Sequence, residues 1–292
     1  MKQFLFKGSA ILILVALIDV AVGAVSDKVF TNLPDKNSMI ATIYQSLFNK
    51  KTEVLILGPS TANHNYNSML MADSLGMTVY NSGLDGRDMI YSDVVLQSYL
   101  ERCKLKKVIL DVSTVQLDGS WLNRIHDTKP YYGLNDAVTK YYDNETDWQQ
   151  RLKLVSSLYR YNKTLSYLIR VQLDPVNTTN GYSPLSGVAE SLKQNTSSSF
   201  RLDSIEYSHL MNIVSLCRNN NIELILVQSP KYSNDVTFDK WIDQFAAMNN
   251  LALLPENRND YYRNNKKFFK DDSHLNSDGA VEFTKRVSVF LK

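Results

Sequence analysis

Short apolar runs alternate with amphipathic stretches along most of this chain. Residues 54–57 (Val-Leu-Ile-Leu) form a continuous apolar run bounded by turn formers, the pattern of a strand buried on both faces. Similar runs recur at residues 77–80, 108–112, 222–227 and 251–254. Between them, residues 39–48, 69–75, 88–102, 205–217 and 236–249 read as helices from their apolar spacing and length. A last helix, capped by Asn276 or Ser277, carries Ala280, Val281, Phe283, Val287 and Phe290 on one side. Strands alternating with helices in this way predict βαβ units, hence an α/β domain built on a parallel sheet.

Two stretches break the rhythm. Residues 1–25 place Lys2 and Lys7 before an apolar segment that Asp19 interrupts and residues 20–25 resume. The segment fits a signal anchor, or a signal peptide cut near the small residues Ala21 and Gly23. Lysines ahead of it orient the body of the protein outside the cytoplasm, either membrane-anchored or secreted. A buried first helix of a cytosolic protein is the competing reading. Residues 26–50 are then a linker and a leading helix, and residues 51–292 the α/β domain. The second break is an insertion at about residues 113–200, rich in tyrosine, asparagine and serine. It predicts helices, for instance over residues 148–161, and a long loop over 174–199. Its tyrosines (Tyr131, Tyr132, Tyr141, Tyr142, Tyr159, Tyr161) could stack on sugar rings or serve as ordinary packing residues.

Composition narrows the field. A chain that is 44% apolar and 21% charged is globular, and a net charge of +2 gives no electrostatic footprint for nucleic acid. Neither G-x-G-x-x-G nor G-x-x-x-x-G-K-[ST] occurs, so no nucleotide cofactor is expected. H-E-x-x-H is also absent and the four histidines are scattered, so no metal site is expected. Cys103 and Cys217 lie in no metal or redox pattern and read as two thiols, with pairing in an oxidising compartment as the alternative. Oligomeric state leaves no mark in the sequence.

The candidate chemistry begins where the first strand ends. Gly58-Pro59 turns the chain and Ser60 follows, at the carboxyl end of a strand, where open α/β sheets bind ligands. Ser60 could be a nucleophile or simply the cap of the next helix. A serine nucleophile needs a base that is itself oriented by a third group. His274 lies in a polar loop before the last helix, on the rim expected for Ser60, with Asp271 three residues earlier and Asp272 as a possible substitute. Read alone, Asp271 and His274 could equally be a capping loop with a surface histidine. The elbow Gly-x-Ser-x-Gly of α/β-hydrolases is broken by Ala62.

Taken together, these blocks resemble the SGNH/GDSL hydrolase superfamily, in its divergent, membrane-anchored cell-envelope form. The resemblance covers roughly residues 51–111 and 204–292. Ile56-Leu57-Gly58-Pro59-Ser60 matches the nucleophile block, Asn81-Ser82-Gly83-Leu84-Asp85-Gly86 the Asn-x-x-x-x-Gly block, and Asp271-Asp272-Ser273-His274 the Asp-x-x-His block. It implies a flavodoxin-like three-layer α/β/α sandwich. It also implies that Ser60 attacks an ester, His274 shuttles the proton, Asp271 holds the imidazole, and the N–H groups of Ser60 and Gly86 bind the oxyanion. The family's Gly-x-Asn-Asp block has no counterpart in Leu110-Asp111-Val112-Ser113-Thr114-Val115, so Asn81, Ser113 or His64 would have to replace its asparagine. Gly58, Ser60 and His64 match the Gly-x-Ser-x-x-x-His of divergent members. There His64 either faces the site as an accessory group or is an exposed residue at a helix start. The function implied is an extracytoplasmic serine esterase or O-acyltransferase acting on an acylated glycan or another envelope ester. An inactive domain that binds or scaffolds envelope polysaccharide is the alternative.

Overall fold

The computed structural model describes residues 2–113, 125–162, 173–193, 200, 202–232 and 235–292. The chain divides into two compact units, Met1–Phe48 with His126–Val176, and Asn49–Ile125 with Asn177–Lys292.

The second unit holds the sheet. β1 (Val54–Leu57), β2 (Val79–Asn81), β3 (Lys107–Asp111), β4 (Glu223–Gln228) and β5 (Ala252–Pro255) are all parallel, in the order β2-β1-β3-β4-β5. This is the flavodoxin-like strand order that the resemblance implies. Each expected strand is present, shifted by one or two residues for all but β1. The shift has a common cause: parallel pairing sets the ends of a strand by its neighbours, for example Leu57 opposite Leu110 and Asp111 opposite Val227.

Helices cover the sheet. α3 (Ser60–Asn65) and α4 (Ser68–Leu75) follow β1 and pack on α12 (Ser277–Phe290), the last helix. α5 (Met89–Leu100) packs on α9 (Ser204–Asn219). α10 (Val236–Asn249) precedes β5, and α11 (Asp260–Asn264) follows it. One core layer joins Val54, Ile56, Ile109, Ile225 and Val227 of the strands to Tyr66, Met71, Phe283 and Val287 of the helices. Leu55, Leu57, Val108 and Leu110 alternate with these, are equally buried, and face the opposite layer. Strands buried on both faces are why each run reads as apolar throughout.

Order in the sheet also locates a crevice. The chain leaves β1 for β2 on one side and crosses to β3 on the other, so the carboxyl ends of β1 and β3 flank a topological switch point. Gly58 makes the exit from β1 with φ +141°, and a Cβ there would lie 2.9 Å from the Asp111 Cβ and carbonyl oxygen. Only glycine fits both the dihedral and the gap.

The first unit corrects two expectations. The apolar N-terminal segment does not give way to a linker after residue 25: α1 is one helix of 29 residues, Lys2–Phe30. Its later turns carry a packed face, with Gly23, Ser26 and Phe30 buried. The periodicity was hidden because two of these three residues are small. α2 (Met39–Tyr44) runs into a wider turn at Gln45–Asn49. The expected helix over 148–161 is two, α7 (Trp148–Leu154) and α8 (Ser157–Tyr161), because Ser156 caps the second one by accepting from the Tyr159 N–H. α6 (Asp136–Glu145) precedes them. Tyr131, Tyr141, Tyr142 and Tyr161 are buried, and Phe30 packs on Tyr131 and Tyr161 with ring centroids 6.2 and 4.9 Å away. Most of the tyrosines weighed as sugar platforms are therefore core residues. Residues 163–172 and 194–199, parts of the expected insertion, lie outside the described residues.

Cys103 and Cys217 are both free thiols, and burial pushes Cys217 up to about 12.

Replacing Gly58 by alanine should cost at least ~2 kcal/mol, because a strained dihedral and a steric clash coincide. Urea unfolding of the variant against the native chain measures it.

Candidate active site

β1 ends in the turn at Gly58-Pro59, and Ser60 is the first residue of α3, with Pro59 at the cap position. The side chain of Ser60 therefore does not cap the helix. It points across to the loop before α12, where its Oγ lies 2.7 Å from His274 Nε2. His274 Nδ1 lies 2.9 and 3.0 Å from the two carboxylate oxygens of Asp271.

A carboxylate can only accept, so Nδ1 carries a proton, and in the neutral ring Nε2 presents its lone pair. The Ser60 hydroxyl then donates to Nε2. This is the protonation pattern a serine nucleophile needs.

The loop is built to hold this pattern. Asp271 Oδ1 also accepts from the N–H groups of Ser273 at 2.8 Å and His274 at 2.9 Å, so the carboxylate fixes the backbone that carries the imidazole. Burial works to raise the Asp271 pKa, but the Ser273 N–H and His274 outweigh it and hold the carboxyl below its usual range. The loop is pinned to α3 by the Leu275 N–H, which donates to Asn65 Oδ1 at 3.0 Å. Asn276 caps α12 through the Gly279 N–H and ties the loop to the Gly187 and Lys267 carbonyls.

Asp272 does not stand in for Asp271. Its Oδ1 accepts from the Lys193 N–H at 2.8 Å, and its carbonyl accepts from the Tyr232 N–H at 3.0 Å. Neighbours in a tight turn point apart, so one loop presents a single carboxylate to the ring.

His64 is not an exposed helix-start residue. It is 8% exposed and lies edge-on to His274, with ring centroids 5.4 Å apart. Its Nδ1 meets the Ser183 carbonyl at 2.7 Å and its Nε2 meets Asp85 Oδ1 at 3.0 Å. Acceptors on both nitrogens suit a ring with a proton on each, so the surroundings favour the imidazolium. Burial opposes that charge, but the Asp85 carboxylate and the Ser183 carbonyl outweigh it and raise the pKa. Asp85 in turn is held below its usual range against burial by His64 and by Asn63, whose amide donates at 2.8 Å. Asp85 and Ser183 were missed in the sequence. Asp85 lay inside a recognised block, but no spacing rule pairs it with His64.

The remaining oxyanion candidates separate. Gly86 takes a left-handed φ of +66° in the loop after β2. Asn81 is fully buried, and its amide donates to the carbonyls of Ala62 at 2.7 Å and Tyr66 at 3.3 Å. Its carbonyl accepts from the Gly83 N–H at 2.9 Å. That side chain is committed to shaping the loop, which corrects its inclusion among stand-ins for the absent asparagine. Ser113 lies at the end of β3, where its Oγ accepts from the Ser229 N–H. Lys231 donates to the Ser113 carbonyl at 2.6 Å, and burial pulls its ammonium down to about 8 against the attraction of Asp111, Asp239 and Asp235.

Below this rim sits a buried carboxylate that sequence reasoning passed over. Asp111 is fully buried and accepts from Thr61 Oγ1 at 3.0 Å, the Ser113 N–H at 2.9 Å, Tyr66 OH at 2.8 Å and Ser229 Oγ. An acidic residue closing an apolar strand was the one available signal.

The described residues thus define an α/β domain with a Ser-His-Asp hydrogen-bond chain at the switch point of its sheet, and hold no cluster suited to a metal ion. No family model and no curated protein matches the chain. Among solved structures it is similar to a protein assigned to the G-D-S-L lipolytic family from Desulfitobacterium hafniense DCB-2, at 12% identity and a TM-score of 0.41, covering 81% of this chain and 97% of that one. It is also similar to a protein assigned as an acylhydrolase from Bacteroides fragilis NCTC 9343, at 10% identity and a TM-score of 0.41, covering 87% and 97%. Likenesses this distant say nothing of chemistry, which has to come from the side chains.

The raised His64 pKa makes a stability prediction. Because the folded value lies above the unfolded one, the contribution is complete below about pH 6.5 and is lost as pH rises through the folded value. Urea unfolding of the native chain and of His64→Gln should show a gap that closes in that direction. Asp85→Asn should remove most of its pH dependence.

Proposed function

We propose that this chain is a serine esterase or O-acyltransferase of the SGNH type, held outside the cytoplasm by α1. The observation that carries the reading is the unbroken chain from Ser60 Oγ through His274 to Asp271, with the tautomer dictated by the carboxylate.

In this mechanism Ser60 Oγ attacks the acyl carbonyl carbon while His274 Nε2 takes its proton. Asp271 steadies the imidazolium that results. The oxyanion is met by the N–H groups of Ser60 and Gly86, each donor contributing ~3 kcal/mol in the transition state. As the tetrahedral intermediate collapses, Nε2 returns the proton to the leaving alkoxide and the acyl group stays on Ser60. Nε2 then deprotonates the second nucleophile, which attacks the acyl carbon, and Nε2 passes that proton to Ser60 Oγ as the acyl–Ser60 bond breaks. Water makes the protein a hydrolase, and a sugar hydroxyl makes it a transferase. An acylated envelope glycan, or another cell-envelope ester, is the substrate class proposed.

One observation favours a second reading. With Asn81 committed elsewhere, the asparagine of the third-strand block loses one of its candidate replacements. A domain that binds envelope polysaccharide without turning it over would tolerate that loss.

The test is hydrolysis of p-nitrophenyl acetate by the full chain in detergent. Ser60→Ala should lower kcat about ten-thousandfold or more. Asp271→Asn should lower it about a thousandfold or more, by releasing the tautomer. Equal rates in the native chain and both variants would overturn the esterase and favour the binding domain.

A further inference from the structure

The proposal concerns α1, α7 and α8, all within the first unit, and rests on the reading of α1 as a membrane anchor. α1 changes character at Asp19. Before it, residues 2–18 are exposed on every side apart from Gly8, with Phe4, Leu5, Ile11, Leu12, Leu14 and Leu17 among the bare side chains. After it, one face is packed. Gly23 lies so close to α8 that a Cβ would fall 2.4 Å from Ser157 Oγ.

Asp19 itself is held by α8. Its carboxylate accepts from Ser156 Oγ at 2.7 Å, the Ser157 N–H at 3.0 Å and the Leu158 N–H at 2.8 Å. The start of α8 is therefore fixed at the level of Asp19 along α1.

That level is shallow for a membrane boundary. From Lys7 to Asp19 a helix rises about 18 Å, whereas the hydrocarbon core is about 30 Å thick. From Lys7 to Val25 it rises about 27 Å, which nearly spans the core. With Lys7 at the inner boundary, Asp19 falls within the outer leaflet. A carboxylate there is tolerated only when its acceptors are satisfied by protein. The three donors at α8 do this, and so they must lie at the same depth.

The surface around those donors suits that depth. Trp148, Leu152 and Val155 are spaced i, i+4, i+7, and Leu158 begins the α8 turn that binds Asp19. All four are exposed, Trp148 and Leu152 at 64% and Val155 at 72%. Val20 and Val25 of α1, just past Asp19, are exposed as well. An exposed apolar patch led by a tryptophan is unfavourable in water and favourable at a lipid interface.

We propose that α7 and the first turn of α8 dip into the outer leaflet of the bilayer that α1 enters, seating the first unit on the membrane. α1 is then an integral part of this unit, not a detachable leader. Cleavage near Ala21 or Gly23 would strip the start of α8 of its Asp19 partner.

The full chain, reconstituted in phosphatidylcholine vesicles carrying lipids brominated near the top of the acyl chains, tests this. Comparing it with Trp148→Phe isolates the emission of Trp148. That emission should drop at least twofold with brominated lipid and be shielded from acrylamide. Leu152→Trp in the Trp148→Phe background should restore the quenching, guarding against a local disturbance at one position. A Trp148 that brominated lipid leaves unquenched and acrylamide reaches, in a chain that resists alkaline carbonate, overturns the second contact while the anchor stands. Extraction by carbonate overturns the anchor and the contact together. Shielding that grows with protein concentration and is indifferent to brominated lipid overturns the contact in favour of a second copy on the patch.

Discussion

The rim of the sheet depends on one buried carboxylate. Asp111 ends β3 with no exposure to water, and four donors satisfy its carboxyl oxygens. Those donors come from α3 and the residue after it, from the turn beyond β3, and from the end of β4. The carboxylate thereby ties together the carboxyl ends of β1, β3 and β4. It also sets the gap that Gly58 must fit, and Gly58 aims α3. Ser60 and His64 leave the same helix one turn apart, so their placement descends from this contact.

Around that rim carboxylates and imidazoles form one row. Asp271 lies beside His274, the His64 ring lies edge-on to it, and Asp85 closes the row. Each carboxylate is paired with an imidazole, and His274 is left with a lone pair on the nitrogen that faces Ser60. The row draws on the loop after β2, on α3 and on the loop before α12. A displacement of any one element breaks a pair and leaves a partly buried charge uncompensated, which gives the site a stake in the whole fold.

The first unit follows a different logic. α1 is bare along its first half and packed along its second, with Asp19 at the division. A polar residue that looks like a flaw in an apolar segment is the joint by which the helix grips α8. The aromatic packing of Phe30 on Tyr131 and Tyr161 continues the same face.

The parallel α/β class was legible in the sequence because strands buried on both faces must be apolar throughout. The positions of Ser60, Asp271 and His274 were legible because turns at strand ends and a three-residue spacing are local. Element limits were less so: β2 to β5 shifted with their pairing, and α1 ran on past residue 25 because Gly23 and Ser26 pack without being large. Roles set by distant partners were not legible at all. Asn81 was a candidate for the oxyanion until its amide was seen to hold Ala62 and Tyr66, and His64 stood between facing the site and being exposed until Asp85 and Ser183 were seen to enclose it. By itself, then, the sequence determined the apolar periodicity, the turns and the chemistry on offer, all of which act over a few residues. Tertiary structure alone decided which carboxylate meets which imidazole, because hydrogen bonding and burial depend on groups brought together from far along the chain.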